Sequence, residues 1–301
     1  MEGYRRFLEE TPETSMTPEA MRRLADLQIE KEFGIHTGDG TPRELAAPDT
    51  AGSVGDAPDA SADPAVPVVV ADAAGRESDG DFERRTTTER SFFASYDADT
   101  PMPAGAGTDV SGPLDAIALY DRLLTEYPNY EHRDQVLYQK ARAYDELGRT
   151  EEAMETMEQL IRGHTFSDHY DEVQFRRGEY FFTRRKFRDA ENAYGEILGL
   201  GPSSTYYELA LYKLGWTLYK QEFYEEALHR YTALLDHKLS IGYDFDAAHE
   251  EDDERRVTDT FRVISLSFSN LGGPEAVEEY FGEFGKGEIG KGYGISWYQD
   301  G

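Results

Sequence analysis

The chain of 301 residues has no cysteine, which excludes a disulfide framework, a thiolate zinc site and a thiol nucleophile. Basic residues are also scarce, because 31 Lys and Arg stand against 60 Asp and Glu and give a formal net charge of −29. Neutralising nucleic-acid phosphates needs a clustered basic surface, so this balance argues against a nucleic-acid partner. The sequence also lacks an apolar run long enough for a membrane span and the apolar core of a signal peptide.

What the sequence does contain is a repeat with a period of 37 residues. Its most regular feature is an alanine that is followed four positions later by a large side chain. The alanines are Ala116, Ala153, Ala190 and Ala227, and the large side chains are Tyr120, Met157, Tyr194 and Tyr231. A second small position precedes each pair, at Ala25, Ala141, Gly178 and Gly215. Thirty-seven residues accommodate two helices of about four turns and two short loops, and small residues let the two helices of a pair cross closely.

This pattern, together with prolines between repeats at Pro12, Pro128 and Pro202, resembles the tetratricopeptide repeat. The resemblance covers residues 1–33 and 113 to about 284. It implies an all-α fold, a tetratricopeptide-type α-solenoid of antiparallel helix pairs, each with a helix A and a helix B. Within that family, residues 19–27 and 261–268 are similar to proteobacterial periplasmic proteins assigned to a TonB system. That similarity implies a periplasmic or outer-membrane-associated location, with the cytoplasm as the location otherwise.

The repeat register divides the chain into segments. Residues 1–34 correspond to one helix B and one helix A, so the chain begins inside a repeat and we expect truncated ends. The 37-residue period predicts that the next small residue of a helix B lies near position 37. The residue that fits this role is Ala116, which comes 79 residues later. Residues 35–112 between them are rich in acids, Pro, Gly and Ala, and are predicted to be disordered apart from short pieces such as a helix near residues 82–93. The remaining segments are repeats at 113–240, an acidic loop at 241–256, a further repeat at 257–284 and a Gly-rich tail at 285–301.

No pattern of residues indicates catalysis or a bound cofactor. The seven histidines lack metal-ligand spacing, and the acidic loop lacks the glycine and alternating ligands of a calcium site. The tail from Gly285 to Gly292 imitates a phosphate-binding loop, but such a loop works only between a strand and the N-terminus of a helix. Here a predicted helix precedes it, and nine residues follow it, so we expect a flexible tail. We therefore predict a protein without enzyme activity, metal or cofactor.

The resemblance also implies a binding surface, because helix A of each repeat lines the concave groove in this family. The residues that match the groove positions, and that we predict to bind a peptide, are Tyr138, Arg142, Phe175, Phe182, Tyr212, Trp216 and Tyr219. Aromatic anchors with an arginine are typical of interaction hot spots. The alternative is that these rings pack between adjacent repeats.

A basic patch is the second candidate site. It comprises Arg176, Arg177, Arg184, Arg185, Lys186 and Arg188. In an acidic chain, such a patch would attract an acidic peptide or a lipid head group. The alternative is a set of exposed charges that complement helix ends and neighbouring acids.

These observations predict a non-catalytic scaffold that holds a protein or peptide, without a nucleic-acid partner or an integral membrane segment. The resemblance places it in the cell envelope, as an accessory of a TonB-like or outer-membrane assembly complex. The alternative function is a structural element that associates with itself through open solenoid ends.

Overall fold

The computed structural model describes residues 1–33, 78–88 and 111–284. Those residues form twelve α-helices and no β-strand. The helices are α1 Glu2–Glu10, α2 Thr17–Phe33, α3 Asp79–Thr88, α4 Ser111–Glu126, α5 Arg133–Glu146, α6 Thr150–Gly163, α7 Tyr170–Thr183, α8 Phe187–Leu200, α9 Tyr207–Lys220, α10 Tyr224–Ser240, α11 Glu251–Leu271 and α12 Pro274–Phe284. The chain divides into two units, residues 1–37 with 108–301 and residues 38–107, and α3 is the described part of the second unit.

In the first unit, the helices pack in the order in which they follow one another. The pairs α2–α4, α5–α6, α7–α8, α9–α10 and α11–α12 each pack together, and every pair also contacts the next. This is the architecture of an α-solenoid and confirms the predicted fold class. We call α2, α5, α7, α9 and α11 the A helices, and α1, α4, α6, α8, α10 and α12 the B helices.

The small and large residues of the repeat meet where the two helices of a pair cross. A Cβ atom on Gly178 of α7 would lie 2.3 Å from Cε1 of Tyr194 on α8. A Cβ atom on Gly215 of α9 would lie 2.6 Å from Cζ of Tyr231 on α10. Both tyrosines are fully buried, so their rings lie directly on the glycine backbone of the partner helix. The spacing in the sequence therefore identified the helix crossings.

Helices α2 and α4 pair although 77 residues separate them in the chain. Ala25 of α2 and Tyr120 of α4 belong to one buried apolar cluster, and the Tyr120 hydroxyl donates a hydrogen bond of 2.7 Å to Asp26. The cost of closing a loop grows only with the logarithm of its length, so a long insertion does not prevent this pairing.

The turn between helix A and helix B has the same form in three successive repeats. Its key residue has a left-handed backbone conformation, with φ of 69° at Gly148, 57° at Arg185 and 66° at Glu222. After it, the N–H of the next residue bonds to a carbonyl near the end of helix A, as from Arg149 to Tyr144 and from Lys186 to Phe181. These are Schellman motifs, which favour glycine at the left-handed position.

Two predicted segments differ from the structure. Helix α11 begins at Glu251, so the acidic loop ends at residue 250 and not at 256. The acids of 251–254 lie in the first turn of α11, where negative charge is favourable because of the helix dipole. Helix α3 lies within the segment predicted to be disordered and overlaps the short helix expected near residues 82–93. The rest of that segment and the tail at 285–301 lie outside the described residues.

Candidate functional site

The seven predicted groove residues lie on three successive A helices. Helix α5 carries Tyr138 and Arg142, and the other two helices carry five aromatic residues. These are Phe175 and Phe182 on α7, and Tyr212, Trp216 and Tyr219 on α9. We call these seven residues the A-helix face. The 37-residue period places Tyr138, Phe175 and Tyr212 at the same position of successive repeats.

Six of these seven side chains are buried. Phe175 and Trp216 have no exposed surface, and the other four aromatic residues are between 4% and 9% exposed. Their rings contact other rings: the Phe175 centroid lies 5.3 Å from that of Tyr206, and the Trp216 centroid lies 5.5 Å from that of Tyr219. This burial favours packing between repeats as the role of the rings, because a buried ring has little surface to offer a ligand. Peptide contact by the six aromatic residues stays a prediction.

Arg142 is the partly exposed member of the A-helix face. Its guanidinium lies 5.7 Å from the centroid of the Tyr138 ring, within the range of a cation–π contact. Among the described residues, Arg142 forms no ion pair. The Tyr138 ring stacks on His169 at a centroid distance of 3.9 Å, and its hydroxyl donates a 2.7 Å hydrogen bond to Glu172. Arg142 is thus supported by an aromatic ring, and its charge also helps to lower the pKa of Glu172.

A charged network links α5 to α7 beside Arg142. The Arg176 guanidinium donates hydrogen bonds to Glu172 at 3.0 Å and to Asp145 at 3.3 Å. Burial raises the pKa of Glu172, but the charge of Arg176 and the hydrogen bond from Tyr138 outweigh burial, and the net pKa is lowered. Burial lowers the pKa of His169, so its ring is neutral at pH 7. The network therefore presents fixed charges next to a neutral stacked pair.

A second network joins α7 to α9 and lies almost entirely inside the protein. Glu179 accepts a hydrogen bond from Lys213 at 3.1 Å and another from the Tyr194 hydroxyl. The Lys213 ammonium also lies 5.9 Å from the centroid of the Phe182 ring. Because both partners of this ion pair are buried, removing either one would leave an unpaired charge in the core. This pair fixes the contact between successive repeats and is not open to a ligand.

The predicted basic patch separates into two parts. Arg176 and Arg177 are mostly buried in ion pairs, Arg176 with Glu172 and Asp145, and Arg177 with Glu158 at 2.7 Å. The other four residues are exposed; three lie in the turn between α7 and α8, and Arg188 lies in the first turn of α8. We call this second part, Arg184, Arg185, Lys186 and Arg188, the basic turn.

Polar contacts between repeats were missed by the sequence reasoning. The Ser167 hydroxyl donates a 2.7 Å hydrogen bond to Asp134, and one repeat later Ser204 donates an equal bond to Asp171. The signal was available, since each serine and each aspartate recurs after 37 residues.

At the next junction, the equivalent acid is Glu208, and the contact is different. Lys238 lies 3.0 Å from Glu208 and 2.7 Å from Asp253 of α11, and it is almost fully buried. Arg256 also pairs with Glu208 at 3.1 Å. This cluster attaches the start of α11 to the preceding pair of helices, and it replaces the serine bridge where the acidic loop lengthens the repeat.

A cleft of about 570 Å³ lies between the α1–α2 loop and the α4–α5 loop. Pro18, Glu19, Tyr127, Tyr130 and His132 are among its lining residues. Glu19 accepts hydrogen bonds from Arg22 at 2.7 Å, from Arg23 at 3.0 Å and from the Tyr130 hydroxyl. The hydrogen bond from Arg22 is the main cause that lowers the pKa of Glu19 to about 2. This carboxylate therefore stays charged at neutral pH, and its oxygen atoms accept hydrogen bonds from neighbouring side chains of the protein.

Within the part of the chain that the structure describes, no group of three or more His, Cys, Asp and Glu side chains could hold a metal ion. Nor is any described helix long and apolar enough to cross a membrane.

Comparison with known proteins gives a class for one helix pair of the stack. The family model described as tetratricopeptide repeat matches residues 135–164, which comprise most of α5 and all of α6. The chain therefore contains a tetratricopeptide repeat within an all-helical stack, and proteins of this class are typically non-enzymatic scaffolds for protein interactions.

The chain is also similar to the crystal structure of MamA protein. The likeness covers 60% of this chain and 87% of that chain, with 21% sequence identity and a TM-score of 0.37. The search of curated proteins returned no significant match. Neither reported match concerns a TonB system, so that part of the resemblance stays a prediction.

Proposed function

We propose that this protein is a non-catalytic scaffold that holds a partner protein or peptide against the A-helix face at Arg142. The family match supports the proposal because it falls on the helix pair that carries Arg142. The order of packing supports it as well, since successive helix pairs present equivalent positions to a partner at regular intervals.

The observation that carries this proposal is the environment of Arg142. A guanidinium that lies over a tyrosine ring has lost part of its conformational freedom before it binds. Its donors can reach a carboxylate or a backbone carbonyl of a partner in fixed geometry. Arginine beside aromatic residues is also enriched among the residues that dominate binding energy at interfaces.

A pair of charge-reversal variants tests the proposal. Arg142→Glu changes the A-helix face, whereas Arg162→Glu makes the same change on helix α6, where the side chain is 76% exposed. Both tagged variants and the unchanged chain are expressed in the native cell, crosslinked and purified, and the proteins that accompany them are quantified by mass spectrometry. We expect Arg142→Glu to lose its partner by about tenfold or more, which corresponds to about 1.4 kcal/mol. Equal recovery with all three chains would contradict the proposal.

Self-association is the alternative function, and the burial of the six aromatic residues on the A-helix face favours it. If those rings serve only to stack repeats, the chain needs no ligand, and helix pairs of another copy can extend the stack. Sedimentation equilibrium over a hundredfold range of concentration distinguishes the two functions. A molecular mass that stays at 34.1 kDa throughout would rule out the alternative.

We extend the proposal to the cell envelope, as an accessory of a TonB-like or outer-membrane assembly complex. This part rests only on the similarity of the sequences of residues 19–27 and 261–268 to periplasmic proteins assigned to a TonB system. Fractionation of the native cell tests it, and recovery of the protein with cytoplasmic markers would contradict it.

A further inference from the structure

We propose that the basic turn between α7 and α8 binds an acidic segment of a partner protein. The proposal rests on the proposed function in one respect, that the partner is a protein, but it concerns a different surface from Arg142. The basic turn places four positive side chains within five residues of a chain whose net charge is −29.

The charges of the basic turn are not neutralised by their neighbours. Among the described residues, Arg185 and Arg188 form no ion pair. Arg184 is 3.5 Å from Glu151, a weak contact between exposed side chains, and its guanidinium lies 3.7 Å from the centroid of the Tyr180 ring. Lys186 lies 6.0 Å from the centroid of the Phe181 ring. Two of the four charges are thus supported by aromatic rings, and all four remain accessible to solvent.

The equivalent turns show that the fold does not require these charges. One repeat earlier, the turn reads Leu147, Gly148 and Arg149, and one repeat later it reads Gln221, Glu222 and Phe223. Arg185 adopts φ of 57° at the position where Gly148 adopts 69°. Glycine adopts this conformation without strain, whereas an arginine at the same position has a conformational cost. Since an acid is accepted at the same position in the next repeat, backbone geometry does not explain the positive charge of Arg185.

The surroundings favour a short acidic peptide over an anionic membrane. Exposed acids flank the turn at Glu151 and Asp189, and the chain as a whole is strongly acidic. A flat anionic surface would face those acids as well as the turn and would be repelled, whereas a peptide segment can contact the turn alone. Guanidinium groups bind carboxylates through paired hydrogen bonds, and the N-terminus of α8 adds favourable potential for negative charge.

The experiment measures binding of a fluorescein-labelled peptide of alternating Asp and Glu to the full chain by anisotropy at low ionic strength. The test variant is the double reversal Arg185→Glu with Arg188→Glu. Its matched control is Arg5→Glu with Arg6→Glu, the same change of charge at two exposed positions on α1. We expect the test variant to weaken binding about tenfold or more and the control to stay within about twofold of the unchanged chain. An equal loss in both variants would show binding to no defined site and would overturn the proposal.

A third variant separates folding from binding. Arg185→Gly removes one charge and also relieves the left-handed strain, so we expect a higher melting temperature together with weaker peptide binding. Unchanged peptide affinity in Arg185→Gly and in the double reversal would overturn the proposal. So would binding of the unchanged chain to phosphatidylglycerol vesicles in place of the peptide. Peptide affinity at the basic turn and recovery of the partner with Arg142→Glu are separate measurements on different residues, so a failure here is distinct from a failure of the scaffold function.

Discussion

At the scale of single residues, two helix crossings depend on a glycine that lies against the face of a tyrosine ring. Gly178 with Tyr194 and Gly215 with Tyr231 bring two backbones close together, and no side chain fits between them. The equivalent crossing of α5 and α6 has Ala141 with Met157 in one buried cluster. Methionine is flexible enough to leave room for the methyl group of an alanine, whereas a tyrosine ring is not.

Gly178→Ala should therefore destabilise the protein by about 1–3 kcal/mol, because the new methyl group would lie 2.3 Å from the ring of Tyr194. Gly195→Ala is the matched control in α8, where a Cβ atom meets nothing within 4 Å. It should stabilise the protein by about 0.5–1 kcal/mol through helix propensity. Chemical denaturation of both variants measures the difference, and equal stabilities would show that the ring of Tyr194 can move aside.

The Glu19 carboxylate predicts a defined pH dependence. Its hydrogen bond from Arg22 is the main reason that its pKa falls from an ordinary 4.5 to about 2 in the folded protein. A depressed pKa stabilises the folded state above the unfolded value, and this contribution is lost as the pH falls from about 4.5 to about 2. In melting curves between pH 6 and pH 2, Glu19→Gln should be less stable at pH 6, and the difference should vanish near pH 2.

Glu131→Gln in the same cleft serves as the control for this series, because Glu131 is exposed and forms no hydrogen bond among the described residues. Its melting temperatures should run parallel to those of the unchanged protein. A constant gap between Glu19→Gln and the unchanged protein at every pH would contradict the assignment.

Residue burial was harder to predict from the sequence than the helix crossings. The period of 37 residues identified which positions are equivalent, and the resemblance to the tetratricopeptide repeat implied that Phe175 and Trp216 lie on the groove face of their helices. It did not show how much of that face the neighbouring repeat covers, since burial depends on contacts between helices distant in the sequence. The structure buries both rings completely, and Arg142 is left as the accessible member.

At the scale of helices and turns, the repeat depends on a left-handed residue after helix A. Two of the three equivalent turns place a charged residue there, although the hydrogen bonds of the Schellman motif are kept in all three. The sequence marks one of these three turns, at Gly148, because glycine is a recognised helix terminator. It could not indicate the left-handed conformation at Arg185 or Glu222, which follows from the tertiary packing of the flanking helices.

Glu222→Gly should raise the free energy of unfolding by about 0.5–1 kcal/mol, because glycine adopts φ of 66° without strain. The neighbouring substitution Gln221→Gly is the control. Gln221 has φ of −92°, so glycine relieves no strain there. The substitution should lower stability, because it adds conformational freedom to the unfolded chain and removes the 3.1 Å hydrogen bond that Gln221 donates to Glu191. Thermal melting measures both, and a lower melting temperature for Glu222→Gly would show that the charge of Glu222 contributes more than its strain costs.

The start of α11 shows why the acidic stretch was misjudged. Seven acids between Asp244 and Glu254 indicate a solvated loop when they are taken as a charge run. In the structure, the last four lie at the N-terminus of a helix of 21 residues, and Asp253 is held by the buried Lys238. That ion pair links residues on two helices, and composition does not reveal it.

At the scale of the whole molecule, the stack of helix pairs in the first unit is continuous across a large insertion. Helices α2 and α4 pair through their own apolar cluster and the hydrogen bond from Tyr120 to Asp26. The fold class and this pairing were both predictable, because the repeat pattern breaks off after a helix A and resumes after the insertion with a helix B. The boundaries within the insertion and the attachment of α11 were not, because they have no periodic signal.

Deletion of residues 38–107 should leave the first unit folded. The connection between α2 and α4 would shorten from 77 residues to seven, which lowers the entropy cost of loop closure by roughly 2 kcal/mol. Far-UV circular dichroism and melting of the shortened chain test this, with retained helical signal and an equal or higher melting temperature as the expected result. Loss of cooperative unfolding would show that the repeats depend on the deleted segment.

The most direct test of the scaffold function is a photo-crosslinking amino acid placed at position 142 of the full chain in its native cell. The same amino acid at position 162, on α6, is the control. We expect one protein of another sequence to be crosslinked at position 142 and not at position 162, as identified by mass spectrometry. Crosslinking at position 142 to a second copy of this chain, or to no protein at all, would contradict the scaffold function.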